Sequence, residues 1–308
     1  MDKLKIVFVG TPDMALVCLD GLTKKKFDIV AVVPPNKNHA MYSVFKNFTL
    51  EKRLNFIDFA QSPNEPQCIE KIKALNADIG VVCSYDFKLS PEFLKTTKMG
   101  YINCHPSLLP DYRGPMPYFH IINNKERMSG ITLHLMDEDY DTGDIIYQKE
   151  FEILKNETIG TLFNRTNFMF LDALIKVLTD IQNGVRITKI PQNKTKKYKQ
   201  APVVCGYYKI NWKNNVDDID ALIRACNPFY SAYCYFRGLD MKIIRAKTIM
   251  KNHEHECGII TKASEKELVV ADFVGFVSVE VLQMASWGIF TPKDFYEIFT
   301  PTTQEYLI

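Results

Sequence analysis

The chain has 308 residues, 46% hydrophobic and 24% charged, with 38 basic against 36 acidic side chains and a formal net charge of +2. Those values describe a soluble globular protein with room for one large or two ordinary cores. They exclude a disordered chain and any partner selected by bulk charge alone.

Taken in order, residues 4–9 read as a buried strand ending at Gly10, and 13–25 carry helical spacing with Leu16, Leu19 and Leu22 on one face. Residues 29–33 read as a second strand, 69–75 as a helix, 79–83 as a third strand and 101–104 as a fourth. Alternation of this kind predicts an α/β domain: a Rossmann-like parallel sheet with helices on both faces. Ligands of such sheets sit beyond the carboxyl ends of the strands, where Gly10-Thr11-Pro12, Ser84-Tyr85-Asp86 and His105 fall. Residues 131–136 and 145–153 read as partner strands joined by the loop 139–143, and 158–181 as a long helix.

The character then changes. Residues 186–202 hold many bases, no acids and little periodicity, as a linker would. Beyond them a helix is expected at 216–226, with short strands at 232–236, 241–246, 257–261, 268–271 and 277–283, the pattern of a small OB-like β-barrel. The expected organisation is a catalytic domain over 1–185, a basic linker over 186–202 and a C-terminal domain over 203–308. No apolar run approaches the roughly 20 residues that span a bilayer, and the opening Met1-Asp2-Lys3-Leu4-Lys5-Ile6 has no signal-peptide core. A cytoplasmic protein without a membrane partner is expected. The eight cysteines, at 18, 68, 83, 104, 205, 226, 234 and 257, form no C-x-x-C pair and read as buried free thiols.

The chemistry concentrates in Asn103-Cys104-His105-Pro106-Ser107-Leu108-Leu109-Pro110 and in Asp141-Thr142-Gly143-Asp144. An amide, an imidazole and a carboxylate are the parts needed to pass an acyl group to an amine. Asn and His can donate to the developing oxyanion, His can move protons, and Asp can orient the ring. Each residue also has a plainer reading. His105 could be a satisfied core histidine and Asp141 a turn former. The acids Asp137, Glu138, Asp139, Asp141 and Asp144 could be a solvated loop, and they have no recognised metal-ligand spacing. His253-x-His255-x-Cys257 lies in a charged turn, so no metal is expected there either. Gly10-Thr11-Pro12 lacks the G-x-G-x-x-G of a nicotinamide site and serves either the turn or an acceptor pocket. Arg113 anchors an anionic ligand or caps its loop. The basic linker is either solvated or a phosphate contact, and Tyr198, Tyr207, Tyr208 and Trp212 beside it suit packing or stacking.

These motifs, with Tyr112-Arg113-Gly114, Gly130-Ile131-Thr132-Leu133-His134-x-Met136 and the opening Ile6-Val7-Phe8-Val9-Gly10-Thr11-Pro12-Asp13, resemble the 10-formyltetrahydrofolate-dependent formyltransferases. The opening and Leu222-Ile223-Arg224-Ala225-x-Asn227-Pro228 are similar to the methionyl-tRNA branch of that family. The resemblance implies a formyl-transfer domain and an OB-like C-terminal domain, with Asn103, His105 and Asp141 as the catalytic trio. It implies 10-formyltetrahydrofolate as formyl donor, held by Phe87, Lys88 and Leu89, by Ser107, Leu108, Leu109 and Pro110, and by Asp137, Glu138, Asp139 and Tyr140. Much of that recognition would use backbone groups. Gly10, Thr11, Pro12 and Arg113 would face the acceptor amine. The methionyl-tRNA branch carries a Gly- and Arg-rich basic insertion after the second strand. Here that place reads Pro34-Pro35-Asn36-Lys37-Asn38-His39-Ala40-Met41-Tyr42-Ser43, with a single Lys. Fewer charges there mean weaker phosphate contacts. The expected acceptor is therefore a small amine, an amino sugar carried on a nucleotide. Initiator methionyl-tRNA is the alternative, and hydrolysis of the formyl donor a further one.

Overall fold

The computed structural model describes residues 3–12, 14–193, 198–200 and 208–308. In chain order the elements begin with β1 (Lys5–Gly10), α1 (Met14–Lys24), β2 (Asp28–Val33), α2 (Tyr42–Glu51), α3 (Pro66–Lys73) and β3 (Ile79–Cys83). There follow α4 (Pro91–Leu94), β4 (Tyr101–His105), α5 (Pro117–Asn123), β5 (Met128–Leu135), β6 (Ile145–Glu152) and α6 (Ile159–Gln182). The remainder holds α7 (Val216–Cys226), β7 (Ala232–Phe236), β8 (Leu239–Met250), β9 (Ile260–Ala263), β10 (Leu268–Ala271), β11 (Gly275–Met284), β12 (Gly288–Phe290) and α8 (Pro292–Phe299). The chain divides into two compact units. The first comprises Met1–Pro117, Ser129–Phe151 and Asn164–Ala201; the second comprises Tyr118–Met128, Glu152–Phe163 and Pro202–Ile308. Two short stretches that precede residue 185 thus group with the second unit.

The first unit is built on a six-stranded sheet in the order β2-β1-β3-β4-β5-β6. The strands β2, β1, β3 and β4 run parallel, and β5 reverses against β4. The sheet is therefore mixed rather than wholly parallel; apolar periodicity marks strands but carries no information on their direction. Ile6, Val7, Phe8, Val9 and Val81 have no exposed surface, which is why the inner strands read as unbroken apolar runs rather than alternating ones. The β4–β5 register sets the position of the polar side chains. Asn103 lies opposite His134, Cys104 opposite Leu133, and His105 opposite Thr132. Alternation puts Asn103 and His105 on one face with their partners, and turns Cys104 to the other, where its thiol meets that of Cys83 at 3.6 Å. The described cysteines (18, 68, 83, 104, 226, 234 and 257) are free thiols, and Cys205 lies outside the described residues.

The second unit carries an antiparallel sheet, β7-β8-β11-β10-β9, with β12 on β11. Its edges are joined by the last residues of the chain. Tyr235 and Ile308 exchange backbone hydrogen bonds of 2.7 and 3.0 Å, Leu307 N–H donates to the Gly258 carbonyl at 2.8 Å, and Ile260 N–H donates to that of Glu305 at 2.8 Å. Closure of this kind removes free edges, as in an OB-like barrel. Among the described residues no helix is long and apolar enough to cross a membrane. Tyr208 packs on Phe119 and Tyr230, each with ring centroids 5.1 Å apart, and Trp212 is buried, so both serve the packing of this unit. Tyr207 lies outside the described residues. His253 donates from Nε2 to the Gly275 carbonyl at 2.8 Å, and its Nδ1 accepts from the His255 N–H at 3.1 Å, which commits both ring nitrogens to the turn.

Candidate active site

Four polar side chains of the first unit meet at the carboxyl end of β4. Asn103 and His105 come from β4, His134 from the facing position of β5, and Asp141 from the loop before β6. Asn103 Nδ2 donates to Asp141 Oδ1 at 3.2 Å and lies 3.1 Å from Nε2 of His134. The Leu135 carbonyl lies 3.0 Å from His134 Nδ1; a carbonyl only accepts, so that nitrogen carries its proton. His105 Nδ1 is 3.4 Å from Asp141 Oδ2, and Nε2 donates to the Tyr112 carbonyl at 2.9 Å. Both of its ring nitrogens therefore face acceptors. The second oxygen of Asp141 also accepts from the Gly114 N–H at 3.0 Å.

Burial pushes the Asp141 carboxyl up, and the His105 and His134 imidazoles together outweigh that effect and hold it well below the ordinary carboxylate range. Asp141 is an anion at neutral pH. Its backbone is left-handed, with φ 55°, as are those of Tyr112 (φ 60°) and Ser84 (φ 53°) around the same strand ends. Non-glycine residues in this region are held there by their surroundings, and they gather where a site needs a defined shape. Gly143 shows how tight the loop is: a Cβ there would stand 1.7 Å from the Leu135 carbonyl oxygen.

The other expected site residues divide by what their side chains do. Gly10 ends β1, and Thr11 N–H donates to the Ser84 carbonyl at 2.7 Å, beside the end of β3. Pro12 and Thr11 are buried there. The Phe87 ring lies 5.5 Å from Phe59 and 5.7 Å from Tyr85, and Leu89 belongs to the same core cluster. Ser107 Oγ donates to the Asp111 carbonyl at 2.7 Å, Leu108 lies against Gly130, and Leu109 is buried. The Leu109–Pro110 bond is cis. The side chains at those positions are thus engaged within the fold. Asp137 Oδ1 accepts from the Thr142 hydroxyl at 2.7 Å and from the Asp139 N–H at 3.2 Å, while Glu138, Asp139 and Tyr140 are exposed. Lys88 Nζ sits 5.2 Å from the Tyr140 ring centre and so ties the 87–89 loop to the 137–141 loop.

Other residues of the cluster are placed by tertiary structure: His134 and Thr132 stand in the motif at 130–136, but nothing in that motif alone sets them opposite Asn103 and His105. His134 becomes a neighbour of Asn103 only through the β4–β5 register. Thr132 bridges from the same face, accepting from Leu109 N–H at 3.2 Å and donating to the Ser107 carbonyl at 2.6 Å. Gln192 falls in the stretch that reads as a linker, yet it is buried against Arg113 and the Asp141 loop. In the same stretch Ile190 exchanges two backbone hydrogen bonds with Ile145, both 2.9 Å, and Tyr112 N–H donates to the Lys199 carbonyl at 2.6 Å. Lys194, Thr195, Lys196 and Lys197, the most basic part of that run, lie outside the described residues.

Comparison with known proteins places the chain in a family. Residues 4–178 match the formyl transferase family and residues 206–300 match the formyl transferase C-terminal domain. Over 298 residues the chain is 32% identical to the methionyl-tRNA formyltransferase of Flavobacterium johnsoniae, covering 92% of each protein. It is 33% identical over 292 residues to that of Clostridium tetani, covering 92% of this chain and 93% of the relative. Among solved structures, a sugar 3N-formyl transferase, WlaRD, in the presence of dTDP and 5-N-formyl-THF, superposes with a TM-score of 0.68 at 23% identity, over 93% of this chain and 99% of the other. An N-formyltransferase from Helicobacter canadensis, in complex with folinic acid and dTDP-3-aminofucose, gives 0.69 at 22% identity, over 91% and 99%. These structures share the fold. With both halves of the chain matched and relatives aligned nearly end to end, the protein belongs to the formyl transferase family of enzymes.

Proposed function

We propose that this protein transfers a formyl group from 10-formyltetrahydrofolate to the amino group of a methionyl-tRNA. The observation that carries formyl transfer is the meeting of Asn103, His105 and Asp141, with separations of 3.2 and 3.4 Å to the carboxylate. The donor fits the residues present. The 87–89 and 137–141 loops flank the cluster, the core-facing side chains of Phe87 and Leu89 leave backbone groups for the pterin, and exposed Lys88 suits a carboxylate.

In this mechanism the neutral amine attacks the formyl carbon. A new C–N bond forms, the bond from carbon to N10 breaks, the amine gives up one proton and N10 takes one. Asn103 turns an N–H from Asp141 to the formyl oxygen as that oxygen gains negative charge, and His105 donates beside it from Nδ1, the ring nitrogen held more loosely, 3.4 Å from Asp141. Asp141, ionised throughout, holds the His105 ring in place. A donor that strengthens only as charge develops lowers the barrier rather than tightening ground-state binding.

The acceptor rests on the relatives. Alignment at 32–33% identity through both domains with methionyl-tRNA formyltransferases moves the balance away from the amino sugar expected from the sequence. One observation favours that second reading still. In the stretch 34–43 the single cation, Lys37, is spent on Asp58 at 3.3 Å, so the segment offers phosphate little charge. The test is an acceptor screen with 10-formyltetrahydrofolate, pairing charged initiator tRNA with a panel of nucleotide-linked amino sugars. Turnover on the charged tRNA is expected, weakening steeply with salt. Transfer to amino sugars alone would establish the second reading. Formate released without any acceptor would establish a hydrolase, and no turnover of any kind would sink formyl transfer itself.

A further inference from the structure

We infer that Gln192 is a positioning residue for formyl transfer: it fixes Asp141 and Arg113 relative to each other, and through them the His105 ring. This rests on the formyl-transfer reading above.

The side-chain amide of Gln192 spends its full bonding capacity on the two loops that hold the catalytic pair. One N–H donates to the carbonyl of Asp141 itself at 3.0 Å, and the other to the carbonyl of Gly143 at 2.7 Å. The amide oxygen accepts from Arg113 Nε at 3.2 Å and from its Nη2 at 2.6 Å. Two donors and two lone pairs are all a glutamine amide has, and each is taken. The partners also fix which end is which: carbonyls require the nitrogen and the guanidinium requires the oxygen, so the amide cannot be flipped.

Arg113 is placed to matter. Its neighbour Tyr112 supplies the carbonyl that receives His105 Nε2, and its other neighbour Gly114 supplies the N–H that reaches Asp141 Oδ2. The Gln192 amide therefore closes a ring of contacts running through Asp141, Gly114 and Arg113. Tyr112 and Asp141 are non-glycine residues at positive φ, so this backbone depends on outside contacts to hold its shape. Gln192 and Arg113 are each only 9% exposed, and the guanidinium lies over the Tyr198 ring at 5.2 Å. Such burial strengthens charge-assisted bonds to the amide and makes their loss costly.

A group that acts through Asp141 has a distinctive kinetic signature. A misplacement of about 1 Å far from the reacting atoms can cost about a hundred-fold in rate. Gln192→Ala should lower kcat ten- to a hundred-fold by the same reasoning, with KM for the formyl donor nearly unchanged. In an Asp141→Ala background it should cost much less, because one of the two groups it positions is gone. Gln192→Met, which keeps the length and loses the hydrogen bonds, should match Gln192→Ala and guards against a folding defect. Gln192→Glu keeps an acceptor for Arg113 but turns oxygen toward the two carbonyls, so it should not restore kcat.

The experiment is a steady-state comparison of the full-length wild type, Gln192→Ala, Gln192→Met, Gln192→Glu, Asp141→Ala and the Gln192→Ala/Asp141→Ala double variant, with thermal melts of each. A kcat within about two-fold of wild type for both Gln192→Ala and Gln192→Met would overturn the inference, as would losses that multiply fully in the double variant. An inactive wild type would instead overturn the formyl-transfer reading beneath it.

Discussion

The β4–β5 face and the antiparallel sheet of the second unit handle polar groups in opposite ways. On the first, Asn103, His105, His134 and Asp141 are packed together, largely out of water, and each bonds to another member or to a fixed backbone group. On the second, the ionic contacts lie at the surface, as Arg245 and Lys247 do on Glu280, while the core is aromatic and aliphatic. Among the described residues, two buried polar atoms of this unit, Trp212 Nε1 and one oxygen of Asp272, lack a hydrogen-bond partner. Buried networks of satisfied polar groups specify geometry, whereas apolar cores supply stability. The same size of substitution should therefore change rate in one region and folding in the other.

The largest expected effect is on rate. Asn103→Ala removes a donor to the developing oxyanion and should lower kcat by about a hundred- to a thousand-fold, read by formyl transfer at saturating donor. Asp141 keeps the Gly114 N–H, so its carboxylate is not left bare and the thermal midpoint should move little. A variant with near-normal turnover would remove Asn103 from the chemistry. One that mainly failed to fold would erase the distinction between the two regions.

Next comes the core of the second unit. Phe236 has no exposed surface and packs on Phe295 with ring centroids 5.1 Å apart and on Phe299 at 6.4 Å. Phe236→Ala should cost about 3–5 kcal/mol of stability, measured by urea unfolding of the intact chain. Binding of the formyl donor, whose candidate residues all lie in the first unit, should be unchanged. A loss of donor affinity matching that of an active-site variant would show that the two regions do not divide the work in this way.

What the sequence revealed follows the same line. Runs with a clear burial pattern were legible with correct type, unbroken at 79–83, helical at 216–226 and alternating at 232–236, because the spacing of apolar residues marks them. Short amphipathic helices were not: α2 buries only Phe45 and Thr49 and leaves little periodic signal. The helix α8 did carry one, a capping box of Thr291 and Asp294 with Pro292 at the first helical position. At the site, Asn103, His105 and Asp141 stood in recognisable local motifs. His134 stood in one as well, at 130–136, but its proximity to Asn103 depends on a strand register that no local pattern encodes. Gln192 was hidden for another reason. Low periodicity and many lysines read as a solvated linker, and only the tertiary contacts with Arg113 and the Asp141 loop reveal a fixed segment.

The smallest expected effect lies at Glu280, the residue skipped in the β8–β11 register where Val279 pairs with Ala246 and Val281 with Arg245. The bulge changes which side chains face inward, from Val277 and Val279 before it to Leu282 and Met284 after it, and it leaves Glu280 half-buried. The carboxyl is lowered from its ordinary range first by its bond to Lys247 and also by Arg245, whose Nε lies 2.8 Å away. The side chains of Lys247 and Arg245 are 75% and 66% exposed, so water and salt screen the pair heavily. Glu280→Gln should cost no more than about 1 kcal/mol. A carboxyl lowered by folding contributes stability above its unfolded pKa, about 4.3, and loses it as pH falls through the lower folded value. The difference between wild type and Glu280→Gln should thus be full at neutral pH, shrink below about pH 4 and fade in high salt. Denaturant midpoints across pH would test this, and a difference that grew on acidification would mean that the bulge, rather than the ion pairs, is what Glu280 supports.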